Sequence, residues 1–171
     1  MQTSKAESIF SADGKTTEIL RSWWKRLDAN RGGRAELRRT ASPSDVVYAP
    51  VYHELVRDFS GHGQAFSREK LAAVAGLAAR VKTDTGEGVS FSAQMATPRS
   101  AGGGAAVSGL RFRRLIAVND PEELFPLIVR TLNLLDGKVN LADLARAIYW
   151  WNDSTKKRWA YDYYAAAPSE K

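Results

Sequence analysis

Apolar residues recur along most of the chain at the three- and four-residue spacing of an amphipathic α-helix. The clearest case is 105–120, where Phe112 and Leu115 fall on one side of such a helix. The other side carries three arginines: Arg111, Arg113 and Arg114. Glycines at 102–104 precede the segment and Pro121 follows it. The pattern therefore predicts a bounded helix with one face in the core and three guanidinium groups outside.

The same spacing predicts three helices in the first part of the chain. Thr16 or Thr17 caps the first helix. Its two tryptophans, Trp23 and Trp24, are both expected to be buried. A short basic helix over 34–39 follows the glycine pair. Ser42 with Pro43 begins the next helix, which Pro50 kinks or splits.

N-terminal capping patterns predict the later helices. Ser67 begins an alanine-rich helix, and residues 89–96 form one short helix. Asp120 and Asn140 begin two more, and Asp153 or Ser154 caps the last. Because no segment alternates apolar and polar residues over the length of a strand, the sequence predicts an all-α fold.

Polar and glycine-rich stretches suggest where the chain divides. Residues 1–15 are expected to form a loose N-terminal arm, 16–88 an N-terminal helical subdomain and 89–171 a C-terminal helical bundle. Within the bundle, 97–104 is predicted to be a flexible loop. Its glycines lack the order of a phosphate-binding motif, and the strand that such a motif follows is missing.

The chain carries a formal net charge of +6, and its positive charge lies in two blocks. Residues 21–39 contain seven basic and two acidic residues, and 97–118 contain four arginines and no acid. The intervening 40–96 has a net charge of −1, and 119–137 has −3. Two separate basic blocks favour a polyanionic partner, most simply the backbone of a nucleic acid.

The residue types needed for catalysis are scarce. The chain has no cysteine and two histidines, and no serine lies in a GxSxG motif. We therefore expect a protein that is not an enzyme, without metal or cofactor, in a reducing cytoplasm. The longest apolar run, 71–79, is far shorter than the roughly 18 residues of a membrane span.

Three segments together resemble a known family. They are LDANRGGRAELRRTASPSDVVYAPVYHELV at 27–56, LRFRRLIAVNDPEELFPLIVRTLNLL at 110–135 and VNLADLARAIYWWNDSTKKRWAYDYY at 139–164. Their order and spacing are similar to those of the CasB family, the small subunit of the Cascade complex of type I-E CRISPR systems. The resemblance covers most of residues 17–164.

The resemblance implies a noncatalytic, all-helical protein with an N-terminal helical subdomain and a C-terminal four-helix bundle. It also implies two copies packed head to tail beside the guide RNA and the other Cascade subunits. Such small subunits hold the target strand and the displaced strand, and so stabilise the R-loop during antiviral defence. A separately recruited helicase-nuclease cleaves the DNA.

Arginine suits this role because its planar, always ionised guanidinium donates paired hydrogen bonds to phosphate. The predicted nucleic-acid-binding residues are Arg21, Lys25, Arg34, Arg38, Arg39, Arg111, Arg113, Arg114 and Arg146. Among them, Arg38, Arg39, Arg111 and Arg146 match basic positions of the family. Ala117 and Val118 depart from it, since relatives often carry an arginine there.

Two other functions fit the same residues. A structural adaptor would use its arginines to bind acidic protein neighbours, without contacting nucleic acid. A helix-turn-helix regulator would use 108–118 as a recognition helix and prefer one duplex sequence, although the preceding glycine loop is long for the tight turn of that motif.

Overall fold

The structure, a computed structural model, describes residues 8–169. These residues form ten α-helices, a single 3-10 turn at Leu27–Ala29 and a two-stranded sheet. The helices are α1 Lys15–Arg26, α2 Arg31–Arg38, α3 Pro43–Val46, α4 Pro50–His62, α5 Arg68–Ala78, α6 Phe91–Ala96, α7 Gly109–Ile116, α8 Pro121–Leu134, α9 Leu141–Tyr149 and α10 Asp153–Ala166. The prediction of an all-α fold class is confirmed. Within 8–169, no helix is both long and apolar enough to cross a membrane.

Helix α5 lies at the centre of the fold, with every residue from Leu71 to Ala78 buried. It contacts α2, α3, α4, α8 and α9. Small side chains permit this crowding, and Gly76 shows it most clearly: a Cβ atom there would lie 2.9 Å from Phe125 Cζ and 2.9 Å from Val46 Cγ2. The packing of α3 and α8 on α5 therefore depends on a residue without a side chain.

Several predicted helix starts are confirmed by their capping bonds. The side chain of Ser67 accepts a hydrogen bond from the amide of Lys70, and Asn140 accepts one from the amide of Asp143. Asp120 caps α8 in the same way. The proline at 50 splits the predicted long helix into α3 and α4, because its ring disfavours helical backbone at the preceding residue.

The predicted start of α1 is wrong. The helix begins at Lys15, and Thr16 and Thr17 are buried inside its first turn. Thr16 Oγ1 accepts a hydrogen bond from the amide of Phe10 at 2.9 Å, and Thr17 Oγ1 donates one to the carbonyl of Ser11 at 2.6 Å. Both hydroxyls therefore tie the preceding segment to the helix instead of capping it.

That segment belongs to the predicted loose arm. Ile9 is 3% exposed and Phe10 is 1% exposed, so these two side chains anchor the segment in the core, while Ala12 and Asp13 are exposed. The Phe10 ring makes edge contacts with Phe59 and Tyr149, which explains its burial. The rest of the predicted arm, residues 1–7, lies outside the described residues.

Three further helix boundaries differ from the prediction. Helix α2 contains the glycine pair instead of following it, because Asn30 Oδ1 accepts a hydrogen bond from the amide of Gly33 and so caps the helix earlier. The last helix is capped by Asn152, not by Asp153 or Ser154. The arginine helix α7 is shorter than predicted, since Ser108 caps it.

Two segments form strands that the sequence pattern does not show. Strands β1, Thr83–Asp84, and β2, Lys138–Val139, pair in parallel. The carbonyl of Gly137, a residue with φ of 67°, accepts hydrogen bonds from the amides of Lys82 and Thr83. Two-residue strands are too short to produce alternation. The sheet joins the segments that follow α5 and α8, on either side of the predicted subdomain boundary, which stays a prediction.

The glycine loop is closed at its base. Pro98 and Ala105 form an isolated antiparallel bridge, and the amide of Val107 donates to the carbonyl of Met95 at 2.8 Å. The flexibility of 97–104 stays a prediction, but the ends of the loop are fixed next to each other.

Candidate nucleic-acid interface

Helix α7 presents its arginines to solvent, as its amphipathic pattern predicts. Phe112 and Leu115 are buried, at 0% and 2% exposure. Three arginines are exposed: Arg111, Arg113 and Arg114. None of the ion pairs formed within the described part of the chain involves them. Among residues 8–169, their positive charge is therefore not offset by a bound carboxylate.

Aromatic packing fixes the orientation of α7. The rings of Phe112 and Tyr163 stack with centroids 4.0 Å apart and an interplanar angle of 5°. Tyr164 meets Phe112 edge to face at 5.8 Å. The hydroxyl of Tyr163 in turn donates to the carbonyl of Val107, just before the helix. The arginine face therefore has a defined position on α10.

A second group of basic residues surrounds the turn that contains Glu87. Arg21 approaches Asp84 at 3.4 Å and Glu87 at 3.7 Å. Lys25 and Lys82 line the same open cleft. These carboxylates partly offset the positive charge, so Arg21 adds less to the local potential than a free arginine would.

Arg146, on α9, lines a cavity together with Glu87 and is bound by a buried aspartate of the same helix. Asp143, which is 6% exposed, accepts hydrogen bonds at Oδ1 from Arg146 at 2.9 Å and from Arg158 at 2.8 Å. Its Oδ2 accepts one from the amide of Phe91 at 2.8 Å, at the start of α6. Both arginines and Glu87 line a cavity of about 250 Å³. The shared carboxylate thus holds both arginines in the lining of this cavity.

Arg34 and Arg38 are directed toward the C-terminal end of α5. Arg34 donates to the carbonyls of Ala79 and Val81, at 3.2 and 2.6 Å, and its side chain is 14% exposed. Arg38 donates to the carbonyl of Ala79 at 2.9 Å. Burial lowers the pKa of Arg38 from its ordinary value, and the charge of Arg34 lowers it further. Ala79 is the C-cap residue of α5, so both guanidinium groups bond to a carbonyl without an intrahelical partner, and Arg34 shares the carbonyl of Val81 with Trp24.

Arg80 completes this set of contacts, although the sequence pattern does not single it out. Its guanidinium donates to the carbonyls of Gly76, Arg38 and Thr40 at 2.9, 2.9 and 2.6 Å. Burial lowers the pKa of Arg80, and the neighbouring Arg38 lowers it further. Arg34 and Arg80 are only partly exposed, whereas Arg39 is exposed, and Arg38 is exposed as well although its Nε–H bonds to the carbonyl of Ala79. The basic block of 21–39 therefore contains arginines in two different environments.

These environments predict different effects on stability. Arg80→Ala is expected to lower the free energy of unfolding by about 2 kcal/mol, because it leaves three carbonyls without their charged donor. Arg39→Ala should change it by no more than about 0.5 kcal/mol, as is usual for an exposed side chain. Urea denaturation of the two variants measures the difference. Equal unfolding free energies would show that Arg80 has no structural role.

The structure brings some predicted residues together and separates others. Arg21, Lys25 and Arg146 surround the Glu87 turn, together with Arg158. The arginines of α7 lie elsewhere. On α10, Tyr164 contacts α7 while Asp162 lines the cavity of Arg146, and these positions are about 160° apart around the helix. The two basic groups therefore lie on different flanks of α10.

Both histidines are exposed. His53 Nε2 lies 2.7 Å from the carbonyl of Val47, and its ring packs against Tyr52. Among residues 8–169, no three or more histidine, cysteine, aspartate or glutamate side chains are placed to hold a metal ion together.

Comparison with known proteins identifies the family. The family model of CRISPR-associated protein Cse2 matches residues 33–164, more than half of the chain. Among curated proteins, none matches the chain.

Two solved structures are similar over nearly their whole length. A chain in the crystal structure of E. coli Cascade bound to a PAM-containing double-stranded DNA target has a TM-score of 0.70 and 19% identity, with 91% of this chain and 97% of that chain covered. CasB from Thermus thermophilus has a TM-score of 0.67 and 25% identity, with 88% and 98% covered. The chain therefore belongs to the Cse2 or CasB family, the small subunits of type I-E CRISPR Cascade complexes.

Proposed function

We propose that this Cascade subunit is noncatalytic and binds DNA without sequence preference, holding the target and displaced strands and so stabilising the R-loop. Guide-RNA pairing selects the sequence, while contacts to the DNA backbone favour a strand exchange that is nearly balanced in free energy. The proposal includes contacts with the guide-RNA-containing subunits of Cascade and with a second copy of this chain packed head to tail. The similar E. coli chain belongs to a complex bound to double-stranded DNA, which supports this assignment.

The observation that carries the proposal is the arginine face of α7. Three exposed guanidinium groups, none of them paired with a carboxylate in the part of the chain that the structure describes, project from a helix that aromatic stacking fixes on α10. Each can pair with a phosphate, and each contact releases counterions from the nucleic acid. Binding of this kind depends steeply on salt and little on base sequence.

The basic group around Glu87 supports a longer path for DNA. Arg146 and Arg158 are about a third exposed, at 38% and 34% of their side chains, so part of each guanidinium faces solvent. This group and α7 lie on different flanks of α10. We therefore propose that a second copy, packed head to tail, joins the two groups into one path.

Charge reversal on α7 tests the proposal. Arg111→Glu with Arg114→Glu is expected to weaken binding of Cascade to target DNA by about tenfold or more, because two phosphate contacts become repulsive. The slope of log affinity against log salt should fall by about 2. Gel-shift titrations of the assembled complex at two salt concentrations measure both quantities.

The matched control is Arg57→Glu with Arg68→Glu. It makes the same change of net charge at two exposed arginines outside the predicted site, and it should leave affinity nearly unchanged. If the α7 variant binds like the control while its thermal unfolding is normal, α7 does not contact the DNA.

A structural adaptor remains the second candidate, because another surface of the chain has the features of a protein-binding site. A groove of about 630 Å³ has apolar walls that include Val47, Ile148 and Trp151. Its lining also includes three acids, Glu69, Asp120 and Glu122, against one base, Lys70. These carboxylates would repel phosphate. An adaptor predicts unchanged DNA affinity in the α7 variant, and a helix-turn-helix regulator predicts preference for one duplex sequence.

A further inference from the structure

Helix α10 has an outward face that combines a cation with two tyrosines. Lys157, Tyr161 and Tyr164 are spaced by four and three residues, which places them in one row along the helix. Tyr161 is 81% exposed and Tyr164 is 53% exposed, and Lys157 is exposed as well. The aromatic residues on the inner face behave differently, since Trp159 and Tyr163 are buried. We refer to Lys157, Tyr161 and Tyr164 as the tyrosine row.

The tyrosine row meets α7 through Tyr164. The ring of Tyr164 meets that of Phe112 at a centroid distance of 5.8 Å and an interplanar angle of 89°. Arg111 and Arg113 are the chain neighbours of Phe112 on either side. Tyr164 therefore packs on the same helix that carries the exposed arginines.

This combination matches the chemistry of unpaired nucleotides. The flat face of a base stacks on an aromatic ring, while arginine and lysine bind the phosphates between bases. Tyr161 and Tyr164 are separated by about 4.5 Å along the helix axis, the rise of three residues. Successive nucleotides of one strand are about 3.4 Å apart when stacked. The two rings can therefore receive neighbouring bases, whereas the bases of an intact duplex have no free face to offer.

We propose that Tyr161 and Tyr164 stack unpaired bases of a DNA strand whose phosphates bind the arginines of α7. This inference rests on the proposed function and narrows it. The arginines alone would bind any polyanion. The tyrosine row would add a preference for single-stranded DNA, because only unpaired bases can stack on its rings. In an R-loop, the displaced strand is single-stranded and its bases are unpaired.

The test compares two strands that share a backbone and differ in their bases. Cascade containing the wild-type chain is titrated with labelled oligo-dT and with an abasic strand of equal length, and binding is followed by fluorescence anisotropy. We expect the wild type to bind oligo-dT about tenfold more tightly than the abasic strand. Tyr161→Ala with Tyr164→Ala should remove most of this difference, because the variant keeps its phosphate contacts but lacks the rings.

Three controls accompany this measurement. Tyr161→Phe with Tyr164→Phe keeps the rings and should keep the preference. Tyr48→Ala removes a tyrosine that is 82% exposed and lies outside the tyrosine row, so the preference should persist. The single variant Tyr161→Ala leaves the contacts of Tyr164 with Phe112 and Tyr163 in place, and it should reduce the preference without altering thermal unfolding.

The outcomes separate this inference from the proposed function. In one outcome, the double alanine variant keeps the preference for oligo-dT, while charge reversal on α7 weakens the binding of both strands. The stacking proposal is then wrong, and the proposal of backbone binding stands. If charge reversal leaves the affinity for both strands unchanged, the proposed function is wrong as well. Loss of Cascade assembly in the tyrosine variants, with normal folding of the chain, would show that the row is a protein contact and would overturn the inference.

Discussion

Replacement of Phe112 by alanine is expected to lower the free energy of unfolding by about 3–5 kcal/mol, the usual cost of removing a fully buried phenylalanine. The side chain is 0% exposed and stacks on Tyr163 at 4.0 Å. It is also the main aromatic link between α7 and α10. We therefore expect the variant to bind DNA as weakly as the α7 charge-reversal variant, although every arginine remains.

Urea denaturation and gel shifts of the same preparation measure the two effects. Phe112→Leu is the matched control, because it keeps an apolar side chain and loses only the stacked ring, so its unfolding free energy should lie between those of the wild type and the alanine variant. Full DNA affinity in a destabilised but folded Phe112→Ala variant would show that the position of α7 does not matter for binding.

Asp143→Ala is the second substitution with a large expected effect, lowering the free energy of unfolding by about 3 kcal/mol. The carboxylate is 6% exposed and accepts hydrogen bonds from Arg146, Arg158 and the amide of Phe91. Its loss leaves two cations close together and the start of α6 without an acceptor. Because both arginines are about a third exposed, solvent reduces their share of the cost.

Asp136→Ala provides the comparison for Asp143→Ala. Asp136 also binds an arginine, Arg99, but its side chain is 56% exposed. The surface ion pair contributes about 0–1 kcal/mol, and alanine at the φ of 53° adds a cost of about 1 kcal/mol, so this variant should be destabilised clearly less than Asp143→Ala. Similar unfolding midpoints for the two variants would mean that Asp143 is not a structural centre for α6, α9 and α10.

The helices were largely predictable because their signals are local. The apolar face of α7 and the caps at Ser67, Asp120 and Asn140 lie within a few residues of what they determine. The errors arose where competing local signals exist. The glycine pair of α2 suggested a break, but Asn30 just before it provides a stronger cap.

The environment of each arginine was not predictable from the sequence. Arg34 and Arg111 lie in similarly basic, amphipathic segments, yet Arg34 bonds to a carbonyl 45 residues further along the chain while Arg111 is exposed. Whether a guanidinium meets a helix end or solvent depends on tertiary packing, which residue spacing does not encode. For the same reason, the sequence pattern does not indicate the roles of Arg80 and Arg158. Both side chains are positioned by partners that are distant along the chain.

The nature of the acceptors around Arg34, Arg38 and Arg80 has an evolutionary consequence. Apart from Asp28, these acceptors are main-chain carbonyls, which every amino acid supplies. Replacing Ala79 or Val81 by another residue that packs there therefore leaves the acceptors in place, whereas replacing any of the three arginines removes the donor. Among homologues, the arginines should therefore vary less than the residues whose carbonyls they bind.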